Sequence, residues 1–239
     1  MTFVLCVSAS DSSGGAGMQR DVAVARAHGC HALSALTGIT VQTHSGLLHA
    51  EAVSLALLRR QLEACLTHYP VAAVKVGALC DVEQVGVLAD ALSGVTAPIV
   101  LDPVFAPTAG AAFLHDVAAY RERLLPLAAV VTPNRQELAR LAELPVDTPE
   151  QVEAAVLLLT VPVFVTGGHF AGEEIVEWLV RRGEVDVFRK PRLSLRETHG
   201  TGCALSTALA CRLAQGEPLS VACRAASAWV GEAQGRCPS

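Results

Sequence analysis

The sequence predicts an α/β protein with three α/β/α layers, a mostly parallel central sheet covered by helices on both faces. Short apolar runs alternate with stretches of helical periodicity along the whole chain, as repeated βα units require. Hydrophobic residues make up 51% of the 239 residues and charged residues 17%, a balance suited to strands buried on both faces. Polar and glycine-rich turns fall where strands end and helices begin, and right-handed crossovers collect such turns along one sheet edge. The length suits one domain, 1–239, with a large core.

Taken in order, residues 2–7 form the first strand. A Ser- and Gly-rich turn follows, then a helix to about Ala27. That turn has neither the Gly-Lys-Ser/Thr of a P-loop nor the Gly-x-Gly-x-x-Gly of a dinucleotide site, so its pattern says only that a ligand can approach the backbone closely. Residues 31–41 read as a second strand running into a polar loop at Gln42. Gln42 can both donate and accept, which suits the edge of a heterocycle or equally a turn facing water.

Residues 51–66 are expected to be helical, 72–79 a buried strand, 82–92 a helix and 98–104 a strand. The last of these ends in Asp102, placed either to hold a metal or a nucleophilic hydroxyl or to cap a turn. A helix over 116–125 and a strand over 128–131 follow. Asn134 and Glu137 then either face the same edge as Asp102 or form a helix-capping pair. A helix over 148–159, a strand over 161–165 ending in Thr166, Gly167 and Gly168, and a hairpin of 174–179 with 185–189 complete the middle of the chain.

Two glycines and small hydroxyl residues open the next helical pattern, at His199-Gly200-Thr201-Gly202-Cys203. Unpaired N–H groups and the positive end of the helix dipole make this an anion site. A cysteine in that first turn is expected to have a lowered thiol pKa and to act as base or nucleophile, unless it is simply a small packed residue. A final helix is expected over 219–234.

The net charge of −5, with no run of Lys or Arg longer than a pair, argues against nucleic acid and anionic membranes as partners. Met1 leads directly into the first strand, without a basic leader or an apolar span, so a cytoplasmic location is expected. The eight cysteines are irregularly spaced and lack Cys-x-x-Cys, so free thiols are expected rather than a disulfide framework. His28, Cys30 and His31 have no second ligand pair at zinc spacing.

Five motifs together carry a family likeness: Asp11-Ser12-Ser13-Gly14-Gly15-Ala16-Gly17-Met18-Gln19-Arg20-Asp21, Leu101-Asp102-Pro103-Val104, Thr132-Pro133-Asn134-Arg135-Gln136-Glu137, Gly167-Gly168-His169 and His199-Gly200-Thr201-Gly202-Cys203. In this order they resemble hydroxymethylpyrimidine and phosphomethylpyrimidine kinases of the ribokinase-like superfamily, over nearly the whole chain. The resemblance implies a ribokinase-like fold, ATP and Mg2+ as cofactors, a small pyrimidine as substrate in thiamine biosynthesis, and a homodimer. By the same likeness, the amides of Gly200, Thr201 and Gly202 form an anion hole and Cys203 takes the place of the base, where most of the superfamily has Asp. Gln42 binds the pyrimidine, Ala9 and Val104 line its pocket, and Asp11 and Asp21 fix the first loop. Asp102 and Glu137 act through magnesium, while Asn134, Thr166 and Gly168 lie along the ATP phosphates.

The chain departs from the family pattern at Ala9 (usually Gly), Ser12 (usually Pro) and Ala78 (often Met). It also lacks a lysine-bearing loop after Val104 and a lysine at Thr166. The missing lysines predict a retained first phosphorylation with weakened handling of the monophosphate. The alternatives are a pyridoxal kinase and a heterocycle-binding protein that has lost catalysis.

Overall fold

A computed structural model describes residues 1–43, 45–105, 116–166, 174–191 and 199–235. The strands are β1 (Thr2–Ser10), β2 (Cys30–Thr43), β3 (Gly46–Ala52), β4 (Val71–Val76), β5 (Ile99–Leu101), β6 (Val130–Val131), β7 (Val163–Val165), β8 (Glu174–Arg181) and β9 (Glu184–Pro191). They form one sheet in the order β3-β2-β1-β4-β5-β6-β7-β8-β9. From β2 to β7 every pairing is parallel, while β3 and the β8–β9 hairpin join antiparallel at the two margins.

The alternation of side chains along a strand divides the core in two. Leu5 and Val7 of β1 pack with Leu58, Leu88, Leu138 and Val152. These come from α2 (Leu55–His68), α3 (Glu83–Leu92), α5 (Arg135–Ala142) and α6 (Pro149–Leu157), with α4 (Val117–Arg123) on the same side through Tyr120. Val4 and Cys6 of β1 face the other way, toward Val24, Leu205 and Ala222. These belong to α1 (Gly17–Ala27), α7 (Thr201–Ala214) and α8 (Leu219–Gly235). All four β1 side chains are fully buried, and each contributes roughly 1.5–3 kcal/mol of apolar burial. The three layers match the expected α/β/α order. No helix among the described residues is long and apolar enough to cross a membrane.

One element differs from the sequence reading. Gln42 is not in a loop: β2 runs to Thr43 and turns back as β3, and the helix expected from Glu51 begins only at Leu55, capped by the Ser54 side chain on the Leu57 N–H at 3.3 Å. The outer part of β2 buries Thr40 and Gln42 and exposes Ile39 and Val41, the reverse of the usual polar-out pattern that marks a strand. The hairpin at β8–β9 is as expected. Arg182 and Gly183, with φ of 45° and 82°, both take the left-handed backbone that a two-residue turn matched to strand twist requires.

Candidate active site

Two close backbone approaches bring the first loop to the start of α7. Gly200 caps that helix at φ 76°, and a Cβ built there would lie 2.0 Å from the Gly15 carbonyl oxygen. Gly17, at φ 55°, would place a Cβ 2.4 Å from the Ala9 carbonyl oxygen. Only glycine satisfies both the backbone and the space at these points. Thr201, Gly202 and Cys203 therefore open α7 directly beside the loop that follows β1.

That loop is held by Asp11. Its carboxylate accepts the N–H groups of Ser13 and Ala16, each at 2.8 Å, the Ser13 hydroxyl at 2.8 Å, and His199 Nε2 at 3.0 Å. Burial works to raise the Asp11 pKa, but the His199, Ser13 and Ala16 hydrogen bonds outweigh it and leave it below the ordinary carboxylate value. Gln42 approaches the same nitrogen of His199, with its Nε2 3.4 Å from His199 Nε2, and its Oε1 accepts the Thr40 hydroxyl at 3.3 Å. Asp11, His199 and Gln42 thus line one continuous polar wall.

A second group lies under the start of α7. Lys75, fully buried in the middle of β4, donates to both oxygens of Asp21 at 3.0 Å, and its Nζ is 3.7 Å from Asp102 Oδ2. Thr207 of α7 donates to Asp21 Oδ1 at 2.7 Å, and Ser206 donates to Asp102 Oδ2 at 2.9 Å. Burial alone would lower the Lys75 pKa, but Asp21 reverses this, aided by Cys203 and Asp102, and holds the ammonium charged.

Cys203 corrects an expectation. Although the residue keeps some exposure, its thiol is enclosed by protein, and this burial pushes the pKa up to about 12. Lys75 and the Gly17 N–H pull it down, Asp102 and Asp21 push it up, and burial wins. The helix start does not make this cysteine a thiolate at neutral pH.

A third group sits beyond Asp102. Asn134 and Glu137 form the capping pair weighed from the sequence: the Asn134 side chain accepts the Glu137 N–H at 2.9 Å, and Glu137 Oε2 accepts the Asn134 N–H at 2.8 Å. The cap engages Oε2 of Glu137. Burial first, and then the charge of Asp102, raise its pKa well above the usual carboxylate range, so the two carboxylates feel each other. Two carboxylates are hard oxygen donors of the kind that fit magnesium, directly or through its waters. Among the described residues no three His, Cys, Asp or Glu side chains converge on one point, so waters and phosphate oxygens would complete its shell. Thr166 joins this group through its N–H, which donates to the Pro133 carbonyl at 3.0 Å.

The remaining expected residues fall nearby. The Ala9 carbonyl presses on Gly17, and the Val104 N–H donates to the Asp102 carbonyl at 2.8 Å. Ala78 is buried beside Thr37, whose hydroxyl donates to its carbonyl at 2.8 Å. Gly168 and residues 106–110 lie outside the described residues. The sequence reading missed Lys75, Ser206, Thr207 and the bond from His199 to Asp11. For Lys75 a signal existed, since a charge inside an otherwise apolar strand is costly unless paired.

With this geometry in hand, the comparisons with known proteins are decisive. The model of the phosphomethylpyrimidine kinase family matches residues 11–236. The chain belongs to this family. The hydroxymethylpyrimidine/phosphomethylpyrimidine kinase of Streptomyces coelicolor is 41% identical over 234 residues, covering 95% of this chain and 87% of that protein. Among solved structures, the phosphomethylpyrimidine kinase of Clostridium difficile 630 superposes with a TM-score of 0.83 at 29% identity, over 98% of this chain and 99% of that one. Bacillus subtilis pyridoxal kinase, solved as an ADP complex, superposes with a TM-score of 0.88 at 29% identity, over 95% and 90%. The phosphomethylpyrimidine kinase fold, ribokinase-like, is thus the fold of this chain, and the chain is a kinase.

Proposed function

We propose that this single kinase domain transfers the terminal phosphoryl group of ATP to the hydroxymethyl group of 4-amino-5-hydroxymethyl-2-methylpyrimidine. The observation that carries the reading is the start of α7, which abuts the Asp11, His199 and Gln42 wall on one side and Asp102 on the other. The Gln42 amide would pair with the polar edge of the pyrimidine, with Ala9 and Val104 against its ring. Asp11 would hold the loop around it, and Asp21, bonded to Lys75 and Thr207, would fix the helix that follows the loop. The N–H groups of Gly200, Thr201 and Gly202 would receive charge on the transferring phosphoryl oxygens, a contribution of several kcal/mol in a water-poor site. Asn134, Thr166 and Gly168 would lie along the nucleotide phosphates.

When bound, magnesium supplies charge neutralisation at those phosphates, and Asp102 and Glu137 would hold it largely through its waters. Cys203 would stand beside the reacting hydroxyl as a neutral thiol. Phosphoryl transfer has a loose transition state in which the nucleophile's proton leaves late. To take the proton Cys203 would have to be a thiolate, since a neutral thiol has no site for it; that form is the minor one at neutral pH, so turnover would rise with pH toward the thiol's pKa of about 12.

The reading is tested by ADP release from the purified protein with ATP and magnesium, offered the pyrimidine, its monophosphate, pyridoxal or no acceptor. Turnover with the pyrimidine is expected, with slow turnover of the monophosphate because lysines are missing at Thr166 and after Val104. Preference for pyridoxal would favour the second reading, which the likeness to the Bacillus subtilis enzyme supports. No turnover with any acceptor would favour a heterocycle-binding protein. A cytoplasmic homodimer completes the proposal. Free thiols at all seven described cysteines support the compartment, and exposed Ile39, Val41 and Leu48 on β2 and β3 support self-association. Sedimentation should give twice the mass of the chain, and Leu48→Asp should shift it toward the monomer.

A further inference from the structure

Lys75 lies deeper than any group that touches substrate in the proposed reaction, yet it is the point where three functional elements meet. Its ammonium is fixed by two bonds of 3.0 Å to Asp21 of α1, and Asp21 is itself fixed by the 2.7 Å bond from Thr207 of α7. The same ammonium lies 3.7 Å from Asp102 Oδ2, the oxygen that also accepts Ser206 at 2.9 Å. Two positive or donating groups therefore hold one oxygen of Asp102. The other, Oδ1, is the oxygen nearest Gly202, 3.8 Å from the position of a Cβ built there.

From this geometry we infer that Lys75 is a positioning residue: with Ser206 it pins Asp102 Oδ2 so that Oδ1 points at the start of α7, where the phosphoryl group would be transferred. The inference rests on the proposed kinase reaction but concerns only how the carboxylate is aimed. Without the ammonium, Asp102 would keep only the Ser206 bond and could turn about it, and the site would lose its fixed negative group.

Gly77 provides a way to disturb the ammonium without deleting any group. A Cβ at Gly77 would lie 2.6 Å from Lys75 Nζ and 3.1 Å from Ser8 Oγ, a fully buried hydroxyl with no hydrogen-bond partner among the described residues. The glycine has an ordinary backbone, and its nearest obstacle is the end of a flexible side chain, so Gly77→Ala should fold while displacing the ammonium. Misplacing a catalytic group by about 1 Å can cost on the order of a hundredfold in rate. For Gly77→Ala we expect kcat to fall by tens to a hundredfold on that basis, with KM for the acceptor close to that of the parent and the unfolding temperature lowered, though by less than in Lys75→Met, because the Lys75–Asp21 bonds are stretched rather than removed. The double variant Asp21→Asn with Lys75→Met removes both charges of the bidentate pair together and leaves Asp102 as the one carboxylate deprived of the ammonium; it should recover much of the stability lost in Lys75→Met alone but not its kcat.

Parental kcat in a folded Gly77→Ala, a loss confined to KM, or recovery of kcat together with stability in the double variant would each overturn the inference. Should Gly77→Ala not fold, the double variant alone decides. Each variant is compared with the parent on whichever hydroxymethyl heterocycle the parent phosphorylates. A parent inactive on the pyrimidine but active on pyridoxal would therefore overturn the proposed substrate without touching the role of Lys75.

Discussion

At Cys203 two influences oppose each other on one sulfur. The helix start and Lys75 favour the thiolate, while burial and the carboxylates of Asp102 and Asp21 favour the thiol, and the thiol prevails with a pKa of about 12. Alkylation by iodoacetamide, followed by mass spectrometry, should accordingly be slow at Cys203 at pH 7 and should rise about tenfold per pH unit up to its pKa. Fast labelling at neutral pH would show that the thiolate is favoured after all. Cys203→Ala should lower kcat by about a hundredfold, at the weak end of acid–base contributions, because little proton transfer is needed early. Asp11 gives the opposite sign of pH effect. Its pKa is lower folded than unfolded, so the unfolded chain binds more protons below about pH 4 and the native state loses stability as pH falls further. Above that pH the contribution is complete. In thermal melts between about pH 5 and 2.5, Asp11→Asn should show a shallower fall in Tm than the parent.

Among the elements, α7 was the most legible in the sequence, because glycines and small hydroxyl residues at a helix start have one physical use in common. What the sequence could not show is how closely that start is pressed on the first loop. Gly200→Ala must both enter the left-handed region, which costs about 1–2 kcal/mol, and displace the Gly15 carbonyl 2.0 Å away. Its expected outcome is a loss of more than a hundredfold in kcat/KM with a lowered Tm, measured on the same preparation. The arm of β2 and β3 was legible only in part: β2 was read as far as Val41, but Gln42 was placed in a loop and β3 was not seen, because Ile39 and Val41 point outward and Thr40 and Gln42 inward, so polarity did not mark the arm as a strand. Lys75 was visible only as an anomaly in β4. Its partners stand 54 and 27 positions away, at Asp21 and Asp102, and nothing local in the sequence pairs them.

At the scale of the whole molecule, the pair of Lys75 and Asp21 ties α1, β4 and α7 together inside the layer that carries the site. Both side chains are fully removed from water, and two effects compete there. Desolvation of each ion costs several kcal/mol, and the bidentate contact with the added Thr207 bond offsets it, so the pair as a whole contributes little net stability. Breaking it is another matter, because the surviving charge stays buried without its partner. Lys75→Met is expected to destabilise the protein by about 3–5 kcal/mol for that reason. In a domain of this length, that corresponds to a fall in Tm of roughly 10 °C. Asp21→Asn placed on top of it should return much of the lost stability, since the neutral amide can still accept from Thr207 and the closer of the two carboxylates that faced the ammonium is no longer an ion. Melting the parent, the two single variants and the double variant gives the coupling directly. Additive losses would mean that water reaches the pair and that the three elements are joined by packing alone, whereas a double variant more stable than Lys75→Met would show that the buried charges are bound to one another across the fold.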